Sequence, residues 1–313
     1  MKILVIGTIG FDIIETPFSK TNKILGGSAT FISFALSILK IPIYLISIIG
    51  SDFPDKYLKI FKSKNINIEY VSKISNEKTF FWHGKYRNDM NFRDTLSTKL
   101  NVIKKFEPKI PNHLKTSEII LLGNIDPKLQ ILLLNQVKKV KLIILDTMNY
   151  WIKKSFNLLI KVIKKSNILT INEEEVKEIS KNTDLYTAIK KIHNIGPEFI
   201  IIKRGENGAL LSSIYKIKSI PAFKITKLID PTGAGDTFLG GLASYLSYKN
   251  NITFEIVEHG IIYGNILASF CIEKFGVKNI TSIKIDEILD RINKFESMNS
   301  YNLSELKNIL KNI

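Results

Sequence analysis

Along most of the chain, short unbroken runs of Ile, Leu and Val alternate with longer stretches in which apolar residues recur every three or four positions. Residues 3–6, 41–49, 119–122, 142–145, 168–171 and 199–202 are apolar runs of strand length, which predicts strands buried on both faces. Helical spacing lies between them. Phe31, Phe34, Ala35, Ile38 and Leu39 form a stripe that ends before Pro42; Pro54 opens a helix reaching Phe61; Leu129, Leu132, Leu133 and Val137 mark another. Repeated strand-helix-strand units predict an open α/β sheet that is largely parallel, with a short strand at residues 66–71.

Two segments break this rhythm. Residues 79–86 alternate and are rich in aromatics, and residues 87–94 are densely polar, which predicts a small antiparallel β element. Residues 209–212 and 215–220 predict an edge hairpin, and Lys227-Leu228-Ile229 a short strand stopped by Pro231. Two long helical patterns follow Asp236, the second from Phe254 through Lys274 with Gly276 as its stop. The tail from Ser297 carries one helix-like stretch after Ser304.

Composition narrows the classes. The 313 residues are 45% apolar and 24% charged, as expected of one large globular domain. The net charge of +16 raises the alternative of a nucleic-acid-binding protein without catalysis, but only Arg87, Arg93, Arg204 and Arg291 among the 45 basic residues are arginines. Arginine is the main reader of bases, and the lysines are scattered, so no nucleic-acid partner is expected. Cys271 is the single cysteine, which excludes an intrachain disulfide and fits a reducing compartment. Neither a signal peptide nor a membrane-spanning run is evident, and the expected location is cytoplasmic.

The chemistry concentrates in Asp230-Pro231-Thr232-Gly233-Ala234-Gly235-Asp236-Thr237-Phe238-Leu239-Gly240-Gly241. Gly233, Ala234 and Gly235 leave backbone amides uncovered where Phe238, Leu242, Tyr245 and Leu246 begin a helical pattern. Bare amides at the positive end of a helix dipole suit a phosphate group. A carboxylate beside a phosphate site serves the other reactant, so Asp236 is the candidate general base for an acceptor hydroxyl, with a helix-capping Asp as the alternative. The turn after residues 3–6 does not open directly into a helix, which excludes a dinucleotide-binding fingerprint.

This stretch resembles the C-terminal signature of the PfkB family of carbohydrate kinases, and Gly26-Gly27-Ser28-Ala29-Thr30 resembles its N-terminal signature. The resemblance runs from about residue 1 to about residue 295. It implies a ribokinase-like three-layer α/β/α fold with a mostly parallel central sheet and a small β lid. The kinase domain would span 1–296, its lid segments about 12–25 and 78–98, with a helical tail at 297–313. It implies an ATP-dependent transfer of the γ-phosphate to a hydroxymethyl group of a sugar, or alternatively of a nucleoside, with Mg²⁺. On this resemblance Gly233, Ala234, Gly235 and Asp236 are catalytic; Asp12, Gly26, Gly27, Thr30, Asp89, Asn91 and Arg93 hold the acceptor. Asn172, Glu175, Lys203, Gly205, Thr232, Asn265 and Gly276 face ATP. Glu175 would act on Mg²⁺ through water, and Asp230 and Thr232 resemble ligands of a monovalent cation, K⁺, in some relatives. Pairing of two subunits through the lid is implied as well.

The chain departs from the family pattern at two places. Phe31 stands where the family usually has a sugar-binding Asn, which leaves Thr30 as a replacement or the acceptor as something other than an ordinary pentose or hexose. Trp151 stands where a basic residue is common, which argues for an unphosphorylated acceptor. Phe31, Trp82 and Trp151 could stack on a base or simply pack.

Overall fold

The computed structural model of the chain describes residues 2–313. Its apolar runs assemble into one ten-stranded sheet. From one edge the order is Ile217–Ile220, Ala209–Ser212, Phe199–Lys203, Ile168–Asn172, Leu142–Asp146, Ile119–Leu122, Ile3–Ile6, Ile43–Gly50 and Ile66–Asn67. Val71–Ile74 also pairs with Ile43–Gly50. All neighbours are parallel except the hairpin at the first edge, as the alternation of strands and helices requires.

Because side chains alternate across a strand, a run apolar at every position needs a core on each face. Ile3 and Val5 enter one core with the helices Ser28–Ser37, Ala234–Ser247 and Phe254–Cys271, whereas Leu4 and Ile6 enter a second with Pro127–Leu134, Phe156–Lys165 and Leu185–His193. This is the expected three-layer α/β/α arrangement. Helix Ala234–Ser247 is wedged centrally: a Cβ on Gly240 would lie 2.5 Å from the Ile32 carbonyl, and one on Gly241 2.9 Å from Gly264. Glycines there let three helices approach closely enough to set the position of the helix start.

A separate five-stranded sheet comprises Gly10–Thr16, Ser19–Lys20, Ile24–Gly26, Phe80–Tyr86 and Arg93–Lys99. It contains both segments expected to form the lid. Gly10–Thr16 runs parallel to Phe80–Tyr86, and the remaining pairs are antiparallel.

Two expectations need correction. Lys227-Leu228-Ile229 is not a strand; the amides of Ile229 and Asp230 instead reach the Ile272 carbonyl, at 2.9 and 3.1 Å, so this segment closes the end of helix Phe254–Cys271. The boundary drawn at residue 296 falls inside helix Ile285–Asn299, and Leu303, Leu306 and Leu310 of the tail are buried in the first core. The last helix, Ser304–Lys311, packs as part of the same body. Among the described residues, no helix is long and apolar enough to cross a membrane.

Candidate active site

In an open parallel sheet, ligands collect beyond the carboxyl ends of the strands. Thr8, Asn124, Met148, Asn172 and Lys203 all lie at or just past such ends. Facing them is the start of helix Ala234–Ser247. Gly233, its N-cap, has φ 79°, a conformation that favours glycine. A Cβ at Gly233 would sit 2.4 Å from the ring of Phe31, which is buried directly against the turn. The Ala234 amide turns back to the Pro231 carbonyl at 3.2 Å, and that of Thr237 to Gly233 at 2.8 Å. Among the described residues, the amides of Gly233, Gly235 and Asp236 make no backbone hydrogen bond and remain available to an anion. Asp230, fully buried, braces this turn by accepting from the amides of Thr232 at 2.9 Å and Gly276 at 3.1 Å. Its two oxygens are thus engaged by backbone, which supports a brace.

Asp236 lines a cavity of about 300 Å³ together with Asp12, Gly27, Arg93, Thr232 and Gly233. Its Oδ1 is covered and has no hydrogen-bond partner. Burial first, then the Asp146 charge, pushes its carboxyl up to about 7, against the pull of Lys203 and Arg93. Asp12, only 4% exposed, is likewise raised to about 7 by burial and by Asp230 and Asp236. Gly26 does not itself line the cavity. A Cβ there would fall 1.9 Å from Asp12 Oδ2, so this glycine makes room for the Asp12 carboxylate.

On the other side of the helix start, Lys203 pairs with Asp146 Oδ1, which also accepts from Thr170 Oγ1 at 2.8 Å. The Lys203 ammonium lies 3.3 Å from where a Gly235 Cβ would stand. Burial alone would lower its pKa, but Asp146 and Glu175 more than offset this and raise it. Asn172 and Glu175 form a reciprocal capping box, with Asn172 Oδ1 accepting from the Glu175 amide at 2.8 Å and Glu175 Oε2 from the Asn172 amide at 2.9 Å. Burial holds Glu175 at about 7 despite Lys203. Gly205 has φ 56° with open space around it, Asn265 donates to the Pro221 carbonyl at 3.3 Å, and Gly276 is bound to Asp230.

Besides Gly26, three acceptor-binding expectations are not met by the geometry. Thr30 is fully buried, its Oγ1 donates to the carbonyl of Gly26, just ahead of its own helix, at 2.7 Å, and it does not reach the cavity. Asp89 and Asn91 lie at the exposed hairpin tip, where Asp89 Oδ1 accepts from the Asn91 amide at 3.2 Å and shapes the turn. Asx chemistry explains that pair. Arg93 does reach the cavity, leaning over the Trp82 ring at 5.4 Å. Phe31, Trp82 and Trp151, the aromatics noted in the sequence, line the cavity, and Phe80, Leu100, Ile103, Asn124, Ile125 and Met148, not singled out there, contribute most of the remaining wall. Asn124 and Asp146 are marked in the sequence as polar residues immediately after or at the end of an apolar run, the place where a parallel sheet gathers its ligands, though without an assigned role.

Among the described residues, no group of three His, Cys, Asp or Glu side chains could hold a metal unaided. Mg²⁺ asks for less, one or two carboxylates plus waters and substrate phosphates, and Glu175 and Asp146 beside Lys203 meet that requirement.

Residues 2–284 match the model of the pfkB family of carbohydrate kinases. A cytidine kinase of Thermococcus kodakarensis is 28% identical over 252 residues, covering 78% of this chain and 88% of its own. A Burkholderia thailandensis nucleoside kinase solved with inosine superposes with a TM-score of 0.76 at 18% identity, over 96% of this chain and 99% of that one. A candidate ribokinase II of E. coli, solved with ATP and Mg²⁺, gives 0.77 at 20% identity, over 94% and 99%. At such identities the structures speak for the fold alone. With the family match covering nearly its whole length, the chain belongs to the pfkB family of carbohydrate kinases and is a phosphotransferase that uses an alcohol group as acceptor.

Proposed function

We propose that the chain is an ATP-dependent nucleoside kinase that phosphorylates the hydroxymethyl group of a ribose. The observation that carries this reading is the wall of the acceptor cavity, in which Phe31, Phe80, Trp82, Leu100, Ile103 and Trp151 accompany Asp12 and Asp236. A free pentose bears hydroxyls all round and would leave its polar groups against this surface without partners. A nucleoside brings an apolar ring face for the aromatics and a sugar for Asp12. The cytidine kinase and nucleoside kinase relatives support the same choice, whereas ribokinase relatives keep a plain sugar as the second reading.

In this mechanism Asp12 and the Gly27 backbone hold the ribose hydroxyls. Asp236 takes the proton of the hydroxymethyl oxygen, which attacks the γ-phosphorus as the bond to the ADP oxygen breaks, and ADP departs. The Gly233, Gly235 and Asp236 amides and the Lys203 ammonium stabilise charge on the moving phosphoryl. Mg²⁺, held near Glu175 and Asp146, would neutralise charge on the ATP phosphates. Thr232, Gly205, Asn265 and Gly276 are assigned to the nucleotide side, and the five-stranded sheet to a lid over the acceptor, with Arg93 as its contact.

Initial rates of ADP release with free sugars, nucleosides and sugar phosphates test the assignment. Nucleosides should give the highest kcat/KM, and Asp236→Asn should lower kcat about 10²- to 10⁴-fold. A free sugar outperforming every nucleoside would overturn the substrate class, and an unimpaired Asp236→Asn variant the base.

A further inference from the structure

Asn124 lies two residues past the strand Ile119–Leu122 and its main chain is pinned on both sides. Its carbonyl accepts from Ser28 Oγ at 3.1 Å, and the preceding carbonyl, of Gly123, accepts from Gln130 Nε2 at 3.0 Å. The side chain is pinned too, because Asn124 Oδ1 accepts from Trp151 Nε1 at 2.8 Å. An indole N–H can only donate, so this bond fixes which end of the amide is oxygen. The amide nitrogen is therefore the end left to meet other groups. Its protein partner is Met148 Sδ at 2.9 Å, a thioether and a weak acceptor for an amide with two hydrogens to donate. Met148, Ile125 and Trp151 line the same cavity as Asn124.

A donor held in a fixed direction beside apolar walls favours ligands that bring an acceptor to it and penalises those that do not. Near Asp236 the carboxylates of Asp12 and Asp236 accept from hydroxyl hydrogens, while the donors there, Arg93, Lys203 and the turn amides, are charged or aimed at the phosphate. Asn124, set apart from that end among Ile125, Met148 and Trp151, presents a neutral donor, and a nucleobase edge brings the matching acceptor as a ring nitrogen or a ring carbonyl.

We propose that Asn124 is a specificity-determining residue that donates a hydrogen bond from its side-chain amide to an acceptor atom on the nucleobase, and that Trp151 positions it. The assignment rests on the nucleoside reading of the acceptor site. Trp151, which stands where a phosphate-clamping basic residue was expected, thereby serves base selection by orienting a neighbour, in addition to offering its ring face.

The test compares wild type with Asn124→Leu, Asn124→Asp and Trp151→Phe on cytidine, uridine, adenosine and inosine, and on a ribonucleoside carrying a phenyl ring in place of the base. Asn124→Leu should lower kcat/KM on the preferred nucleoside at least about 10-fold, mainly through KM, while costing less than about 2-fold on the phenyl analogue, which has no acceptor to lose. Asn124→Asp should be at least as damaging, since a carboxylate can still accept from Trp151 but repels a base acceptor. Trp151→Phe should raise KM by a smaller factor and weaken discrimination among the four bases, because the amide is then free to turn over. Equal losses on the nucleosides and the phenyl analogue would reduce Asn124 to a packing residue and overturn the proposal, as would an Asn124→Leu variant with wild-type kcat/KM on every nucleoside. Should wild type phosphorylate sugars and no nucleoside at all, the nucleoside reading falls and takes this assignment with it; nucleoside turnover indifferent to Asn124 overturns the assignment alone.

Discussion

Removing the charge of Lys203 should move the acid limb of the pH–rate profile, and the direction follows from the arrangement around Asp236. Asp236 must be ionised to act as base, yet burial and Asp146 hold its pKa up at about 7, and Lys203 is the largest influence pulling it back down. Lys203→Met keeps the length of the side chain and deletes the ammonium. Two unit charges about 5 Å apart at an effective dielectric of about 20 interact by ~3 kcal/mol, which water in the open cavity and Arg93 should reduce to roughly half. That is about one pKa unit. The acid limb of kcat/KM should therefore shift upward by about one unit, so that the loss is about tenfold on that limb and recovers as pH rises toward about 9. A second, pH-independent loss is expected through ATP, whose phosphates the ammonium would face. The assay is initial-rate ADP release from about pH 5.5 to 9.5, with Lys203→Arg as the variant that keeps the charge and the limb. Because Asp146 acts on Asp236 with the opposite sign, Lys203→Met/Asp146→Asn should bring the limb back toward its wild-type position. A limb in Lys203→Met that stays put, or moves to lower pH, would refute the electrostatic account.

Two further outcomes follow from the same region. Gly233→Ala forces a side chain into φ 79° and places its Cβ 2.4 Å from Phe31, so it should cost about 1–2 kcal/mol from backbone conformation alone and lower kcat by more than tenfold. Adding Phe31→Ala should relieve the clash but not the backbone cost, which thermal melts of both variants would separate. The raised carboxyls also set the pH dependence of stability. Asp12, Glu175 and Asp236 start from ordinary values of 3.8 and 4.5 and reach about 7 when folded, so the native state binds protons that the unfolded chain releases. Their contribution is complete below about pH 4 and is lost as pH rises through about 7, so Tm without nucleotide should fall between pH 5 and 8 on this account, and Asp236→Asn should flatten part of that fall. A decline of unchanged steepness in Asp236→Asn would remove Asp236 as a contributor.

The sequence by itself determined the layered α/β architecture, because runs such as Ile3–Ile6 and residues 199–202 are apolar at every position and can be stable only between two cores. It also marked the glycine turn proposed to hold the phosphate, since Gly233 to Asp236 carry their character in local backbone form: a bare turn feeding a helix start needs no distant partner to be recognised. Local pattern misled where a segment's partners are distant. Lys227-Leu228-Ile229 is apolar enough for a strand, but the amides of Ile229 and the next residue, Asp230, are taken by the end of helix Phe254–Cys271. Thr30 and Asp89 have the right atoms for a substrate, and only the fold shows those atoms spent on neighbouring backbone. Conversely, nothing in the pattern marks Asn124, Trp151 and Asp146 as a group. Their function depends on which strand ends the sheet order brings side by side, and on an indole N–H that turns one amide toward the cavity, relations that exist only once residues far apart in sequence are packed together.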